Sequence, residues 1–119
     1  IKNMIQGKQS SIFGDGEQTR DFIYVKDVAM ANWLAIKEGM NETINIGCNQ
    51  KTSINDLHDQ ISSILPSSIP SPHYLLERDG DIRYSKLNSH KAWVTLGWKP
   101  VYDLAKGLKE TAAYYQSNK

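Results

Sequence analysis

Two short stretches combine cations, carboxylates and glycine in patterns suited to an anionic ligand: Gly14-Asp15-Gly16-Glu17-Gln18-Thr19-Arg20-Asp21 and Arg78-Asp79-Gly80-Asp81. Arg20 stands where turn chemistry gives way to β-branched and aromatic residues. From such a boundary a planar, permanently charged guanidinium can aim paired N–H donors at a diphosphate. The same side chain could instead pair with Asp21 or Glu17 at the surface, and spacing alone favours that plainer reading. The second stretch sets one cation and two carboxylates around Gly80, whose missing Cβ lets backbone approach a ligand closely. A solvated charged turn would have the same composition. Arginine is scarce, with three in the chain, and two of them, Arg20 and Arg78, lie in these stretches.

The elements that must position these residues can be read from pattern. Ser11-Ile12-Phe13 is a short apolar stretch running into Gly14-Asp15-Gly16, where glycine accepts positive φ and Asp closes local turns. Arg20-Asp21-Phe22-Ile23-Tyr24-Val25 then reads as a strand, so a strand, turn, strand unit carries Arg20. Asp27 is placed to cap a helix through about Lys37, with Val28, Ala31, Leu34 and Ala35 on one face and Gly39 beyond the end. Thr43-Ile44-Asn45-Ile46-Gly47 reads as a further strand. Ser53-Ile54-Asn55-Asp56 is a capping box opening a helix whose Ile54, Leu57, Ile61 and Ile64 share a face, with its end set near Pro66. Residues 66–72 hold three prolines and three serines and read as a stiff loop, followed by a short strand over His73 to Leu76. Ser89 caps a helix ended by Gly97, and a last helix from about Asp103 buries Leu104, Leu108, Ala112 and Tyr115. The expectation is one α/β domain over residues 1–119, with about four helices and short strands.

Composition narrows the function classes. A net charge of +1, with both signs interleaved, leaves no basic block to follow a phosphate backbone and argues against nucleic acid as partner. Cys48 is the single cysteine, so no internal disulfide can form and a reducing cytoplasm is the simplest compartment. No apolar run approaches the roughly 18 residues that a membrane span needs, so no membrane partner is expected. His58, His73 and His90 are widely separated and no pair of metal ligands has the spacing of a site, so no metal is expected. Cys48 lacks a neighbouring base or cation to activate it. Trp33, Trp93 and Trp98, with no basic stripe beside them, read as packing residues. A chain beginning Ile1-Lys2-Asn3-Met4 shows no signal peptide and reads as a piece of a longer protein.

Gly14 to Val28 resembles the GDGxQxRDFxYVxDV stretch of UDP-sugar 4-epimerases and related nucleotide-sugar enzymes of the NAD-dependent epimerase/dehydratase family. Three further landmarks follow in that family's order: Asn45-Ile46-Gly47 before Ser53-Ile54, then Arg78-Asp79-Gly80-Asp81-Ile82, then Leu96-Gly97-Trp98-Lys99-Pro100. The resemblance covers nearly the whole chain. It implies the C-terminal, substrate-binding part of a Rossmann-type extended short-chain dehydrogenase, with the NAD-binding half outside residues 1–119. By the resemblance, Arg20 and Arg78 bind the substrate's diphosphate, Asp81 accepts from ribose hydroxyls, and Ile54 lies near the nucleoside. Ile54 fits ordinary core equally well. The Gln18 amide either reaches sugar or phosphate or is a solvent-facing turn residue. Phe22 stands where some relatives have Tyr, so that hydroxyl's hydrogen bond is not carried over.

The activity implied is that of an isomerase, an NAD-dependent UDP-sugar 4-epimerase of nucleotide-sugar metabolism, cytoplasmic and homodimeric when intact, of which this piece alone is inactive. A nucleotide-sugar 4,6-dehydratase or decarboxylase is the runner-up, and a non-catalytic nucleotide-binding module a third reading. No catalytic or cofactor-binding residue is assigned within the chain. Tyr102-Asp-Leu-Ala-Lys106 has the YxxxK spacing of the dehydrogenase base but follows the Leu-Gly-Trp-Lys-Pro landmark, at the entry to the last helix. Gly14-Asp-Gly16 begins like a dinucleotide loop, yet Thr19 takes the third glycine position and a strand is expected next.

Overall fold

The computed structural model describes residues 1–38, 41–65 and 68–117. Its helices are α1 (Lys2–Ile5), α2 (Val25–Glu38), α3 (Ile54–Ile64), α4 (His90–Leu96) and α5 (Leu104–Ser117). Its strands are β1 (Ser11–Phe13), β2 (Thr19–Arg20), β3 (Thr52–Ser53) and β4 (His73–Leu75). β1 runs parallel to β4, with Ser11 opposite His73 and Phe13 opposite Leu75. β2 runs antiparallel to β3, with Thr19 opposite Ser53 and Arg20 opposite Thr52, and Thr19 also bridges Tyr84. These small sheets bring segments from four parts of the chain to one place.

Local sequence explains the best-formed helices. The Ser53 hydroxyl accepts the Asp56 N–H at 3.0 Å and starts α3 where the capping pattern predicts. Behind the cap, Ile61 and Leu65 are buried with Met4, Leu108 and Ala112, and Leu57 and Ile64 pack against them. Gly97 closes α4 in the left-handed region at φ 63°, as expected for a C-terminal glycine. Asp103 caps α5 by accepting the Lys106 N–H at 2.7 Å. A second cluster gathers Ala31, Ala92, Leu96 and Trp98 between α2 and α4.

Elsewhere the structure corrects the sequence reading. The strand expected over Arg20 to Val25 is only Thr19–Arg20, and α2 already begins at Val25. Asp21 is the cause, because its carboxylate accepts the backbone N–H groups of Cys48 and Asn49, each at 2.9 Å, and of Leu87 at 3.2 Å. Asp27 is not a cap. It lies inside α2, 3% exposed, and its carboxylate accepts the N–H groups of Val101 and Tyr102 while its carbonyl accepts the Trp98 indole N–H at 2.9 Å. Thr43–Gly47 forms no strand among the described residues; Ile44 and Ile46 pack instead on the Trp98 cluster. Ser89 makes no side-chain cap bond, and Asn88 Oδ1 accepts the His90 N–H in its place. Among the described residues a fifth helix stands beyond the four expected, α1, which buries Met4 to 2% exposure. Gly39 and Pro66 lie outside the described residues.

One face of α2 is apolar and exposed, presenting Val25, Trp33 and Ile36. No helix among the described residues is long and apolar enough to cross a membrane.

Candidate functional site

A cleft of about 410 Å³ opens where the two small sheets meet, lined by Ser11 to Phe13, Gln18, Arg20, Ile54 and Arg78 to Asp81. All five residues singled out in the sequence, Gln18, Arg20, Ile54, Arg78 and Asp81, line it together.

The first wall is the turn between β1 and β2. Gly14 and Gly16 take φ of 72° and 77°, in the left-handed region that favours glycine. At Gly16 space is limiting as well, since an added Cβ would lie 2.6 Å from Asn55 Cγ. The Asn55 amide nitrogen donates to Asp15 O at 3.0 Å and Glu17 Oε1 at 2.7 Å, while its oxygen accepts the Tyr74 hydroxyl at 3.0 Å. The turn is thus tied both to the head of α3 and to β4. Ile54, half-buried at that helix head, faces the cleft and stands apart from the two buried clusters.

Gln18 is neither solvent-facing nor projecting. It is 8% exposed, its amide nitrogen donates to Phe13 O at 2.7 Å, and its Oε1 is buried without a hydrogen-bond partner among the described residues. It is a buried part of the cleft's lining. Arg20 pairs with neither Asp21 nor Glu17. Its guanidinium donates to Thr19 O at 2.8 Å and to Ile82 O, and pairs with Asp81 across the cleft.

The second wall is the loop from Arg78 to Tyr84. Asp81 N–H donates to Arg78 O at 3.1 Å, with Gly80 at φ 77° between them. The Arg78 guanidinium carbon lies 3.6 Å from the Phe13 ring centroid, and no carboxylate pairs with it among the described residues. Stacking of this kind occupies the guanidinium face and leaves its N–H rim for a ligand. Arg83 clasps Asp15 through both carboxylate oxygens, at 2.6 and 2.8 Å. Those hydrogen bonds hold the Asp15 carboxyl down at about 2 and push the Arg83 guanidinium above its ordinary value.

Phe13, Asn55 and Arg83 were not among the sequence candidates. Arg83 was the third of a scarce residue type, five positions after Arg78, and scarcity was the available signal. The Tyr102 and Lys106 pair is engaged elsewhere, with Lys106 Nζ 4.3 Å from the Tyr102 ring centroid and Tyr102 packed on Tyr24 at 4.6 Å. Burial, with Asp21 adding to it, raises the Cys48 thiol above its ordinary value, which disfavours a thiolate. Two guanidinium groups, a carboxylate and an apolar side chain around one cleft can hold an anion with attached hydroxyls and a flat ring.

Residues 1–47 match the model of the NAD dependent epimerase/dehydratase family. A Methanocaldococcus jannaschii protein provisionally named UDP-glucose 4-epimerase is 40% identical over 118 residues, which are 99% of this chain and 38% of that protein. Over nearly its whole length the chain is thus similar to the C-terminal part of NAD-dependent epimerase/dehydratase proteins. The dTDP-glucose 4,6-dehydratase 1 of Escherichia coli K12 is 36% identical over 126 residues, 99% of this chain and 35% of that enzyme. The crystal structure of the Thermotoga maritima UDP-glucose 4-epimerase with UDP-glucose matches at a TM-score of 0.93 and 41% identity, covering 98% of this chain and 38% of that one. The chain therefore has the fold of the C-terminal part of Rossmann-type epimerase/dehydratase structures and spans less than two-fifths of the length of these relatives.

Proposed function

We propose that residues 1–119 are the nucleotide-sugar-binding region of an NAD-dependent sugar 4-epimerase, and that they hold a UDP-sugar by its diphosphate. The observation that carries this is the meeting of Arg20 and Arg78 at one cleft, each presented differently and both within reach of one ligand volume. In this reading the two guanidinium groups take the diphosphate oxygens, for which paired N–H donors are well matched. Asp81 exchanges its bond to Arg20 for the ribose hydroxyls, and Ile54 gives the nucleoside an apolar wall. Gln18 steadies the Phe13 backbone through its amide bond to Phe13 O. Binding energy from this handle positions a sugar that the residues here do not transform.

The chain's own residues do not fit NAD. The Gly14 to Gly16 turn leads into β2, not into a helix N-terminus, so no array of free amide donors faces a dinucleotide pyrophosphate. In the proposal NAD and the reacting Tyr and Lys belong to an N-terminal half outside this chain, in a cytoplasmic homodimer. The exposed apolar face of α2 supports a larger packed enzyme. A second reading, part of a 4,6-dehydratase, is favoured by the Escherichia coli relative at 36% identity. Both readings keep the same diphosphate handle, so UDP and uridine titrated calorimetrically into the 119-residue chain test it. UDP should bind well and uridine far more weakly; equal binding of the two would refute the assignment.

A further inference from the structure

The two walls of the cleft come from distant parts of the chain, and a charged pair joins them outside the cleft itself. Asp15 sits in the glycine turn leading to Arg20, and Arg83 follows closely on Asp81. Arg83 Nη1 donates to Asp15 Oδ1 at 2.6 Å and Nη2 to Oδ2 at 2.8 Å. Two parallel bonds between planar groups fix relative orientation as well as separation, which a single contact does not. Beside them the Thr19 N–H donates to Arg83 O at 2.9 Å and the Ser85 N–H donates to Thr19 O at 3.1 Å. Neither Asp15 nor Arg83 lines the cleft. We propose that Asp15 and Arg83 are a positioning clamp, setting the separation of Arg20 and Arg78 for a nucleoside diphosphate and so controlling its affinity without touching it.

The proposal rests on the reading of the cleft as a nucleotide-sugar site. Its physical basis is the short range of hydrogen bonds: displacing one wall by about 1 Å takes a bond of normal length out of bonding range. A diphosphate bridged by two guanidinium groups feels that displacement directly. Apolar contacts to a nucleoside base, being broader in distance dependence, feel it far less. Because the pair is exposed, with side chains 40% and 56% accessible, the effect is bounded. A surface ion pair shifts an equilibrium by roughly fivefold at most.

The test titrates UDP and uridine into the 119-residue chain and its D15A, R83A, D15A/R83A and R83K variants at one ionic strength. Amide exchange at Thr19 and Ser85 is followed in parallel, and melts establish that each variant is folded. The clamp predicts that D15A and R83A each weaken UDP by roughly three- to fivefold, within the range of a surface pair, and leave uridine unchanged. The double variant should be no worse than either single one, since the two act as a unit. R83K should recover only part of the loss, because a lysine lacks the fork, and exchange at Thr19 and Ser85 should quicken. Simple charge attraction predicts otherwise: D15A removes a negative charge and would tighten UDP, and R83K would restore binding fully. Either result overturns the clamp, as does additivity of the two single changes. Faster exchange with unchanged UDP affinity also overturns it, leaving a structural tie only. Should the unmutated chain bind UDP no better than uridine, the reading of the cleft fails and the clamp fails with it, a result visible before any variant is made.

Discussion

Arg20 and Arg78 meet the same space in opposite states. Arg20 is engaged by Thr19 O, Ile82 O and Asp81, whereas Arg78 is held by the face of Phe13. A stacked guanidinium keeps its donors and loses little freedom when a ligand arrives, so Arg78 should contribute more per bond. Arg78→Ala is therefore expected to weaken UDP binding by roughly 1.5 to 3 kcal/mol, the range for hydrogen bonds to charged groups. Arg78→Lys should recover only part. Calorimetric titration checks both, and a change of a few tenths of a kcal/mol in Arg78→Ala would be that of an ordinary surface residue. Arg20, Arg78, Asp81 and Ile54 were legible because their motif places them in order along the chain. Phe13 was not, since an aromatic residue at a strand end reads as core, and its contact with Arg78 lies 65 residues away in sequence.

Among the elements, the turn from β1 to β2 is the most constrained. Gly16→Ala combines a left-handed φ of 77° with a Cβ directed at Asn55. We expect it to destabilise the chain by about 1 to 3 kcal/mol, the cost of holding a residue in a sparsely populated backbone region, measured as a shift in the denaturant midpoint at unchanged m-value. The same turn carries a pH signature. Hydrogen bonds from Arg83 lower the Asp15 carboxyl from 3.8 to about 2 in the folded chain. A depressed folded-state value means that the pair's contribution is complete above the unfolded value and is lost as pH falls toward the folded one. The stability difference between wild type and Asp15→Asn should thus be constant above pH 5 and shrink between about pH 4 and pH 2; a difference independent of pH over that window would contradict the pairing. Element by element, α3, the end of α4 and α5 were legible because Ser53, Gly97 and Asp103 act within one turn of themselves. The strand expected from Arg20 to Val25 and the cap expected at Asp27 were not, because Asp21 and Asp27 spend their carboxylates on backbone N–H groups 27 to 75 residues away. No local pattern reports such partners.

At the scale of the molecule, two buried clusters, one around Met4 and Leu108 and one around Trp98, flank a cleft that belongs to neither. The cleft is thereby built on loops held by small sheets, and in the proposed function the cores serve as rigid support for ligand recognition there. The pure 119-residue chain is expected to bind UDP while neither binding NAD nor converting a UDP-sugar. Equilibrium dialysis with NAD and a product assay check this, and turnover by the chain alone would contradict it. The whole-molecule reading was legible in outline because the ordered landmarks span the chain, whereas the packing of α1 through Met4 had no signal in so short a helix. The pairing of Arg20 with Asp81 has a kinetic consequence. Formal charges lining the cleft cancel, two arginines against Asp79 and Asp81, so little long-range field draws in a distant anion. Encounter should proceed at an ordinary, weakly salt-dependent rate, and selectivity among anions should appear in residence time, after Asp81 has released Arg20.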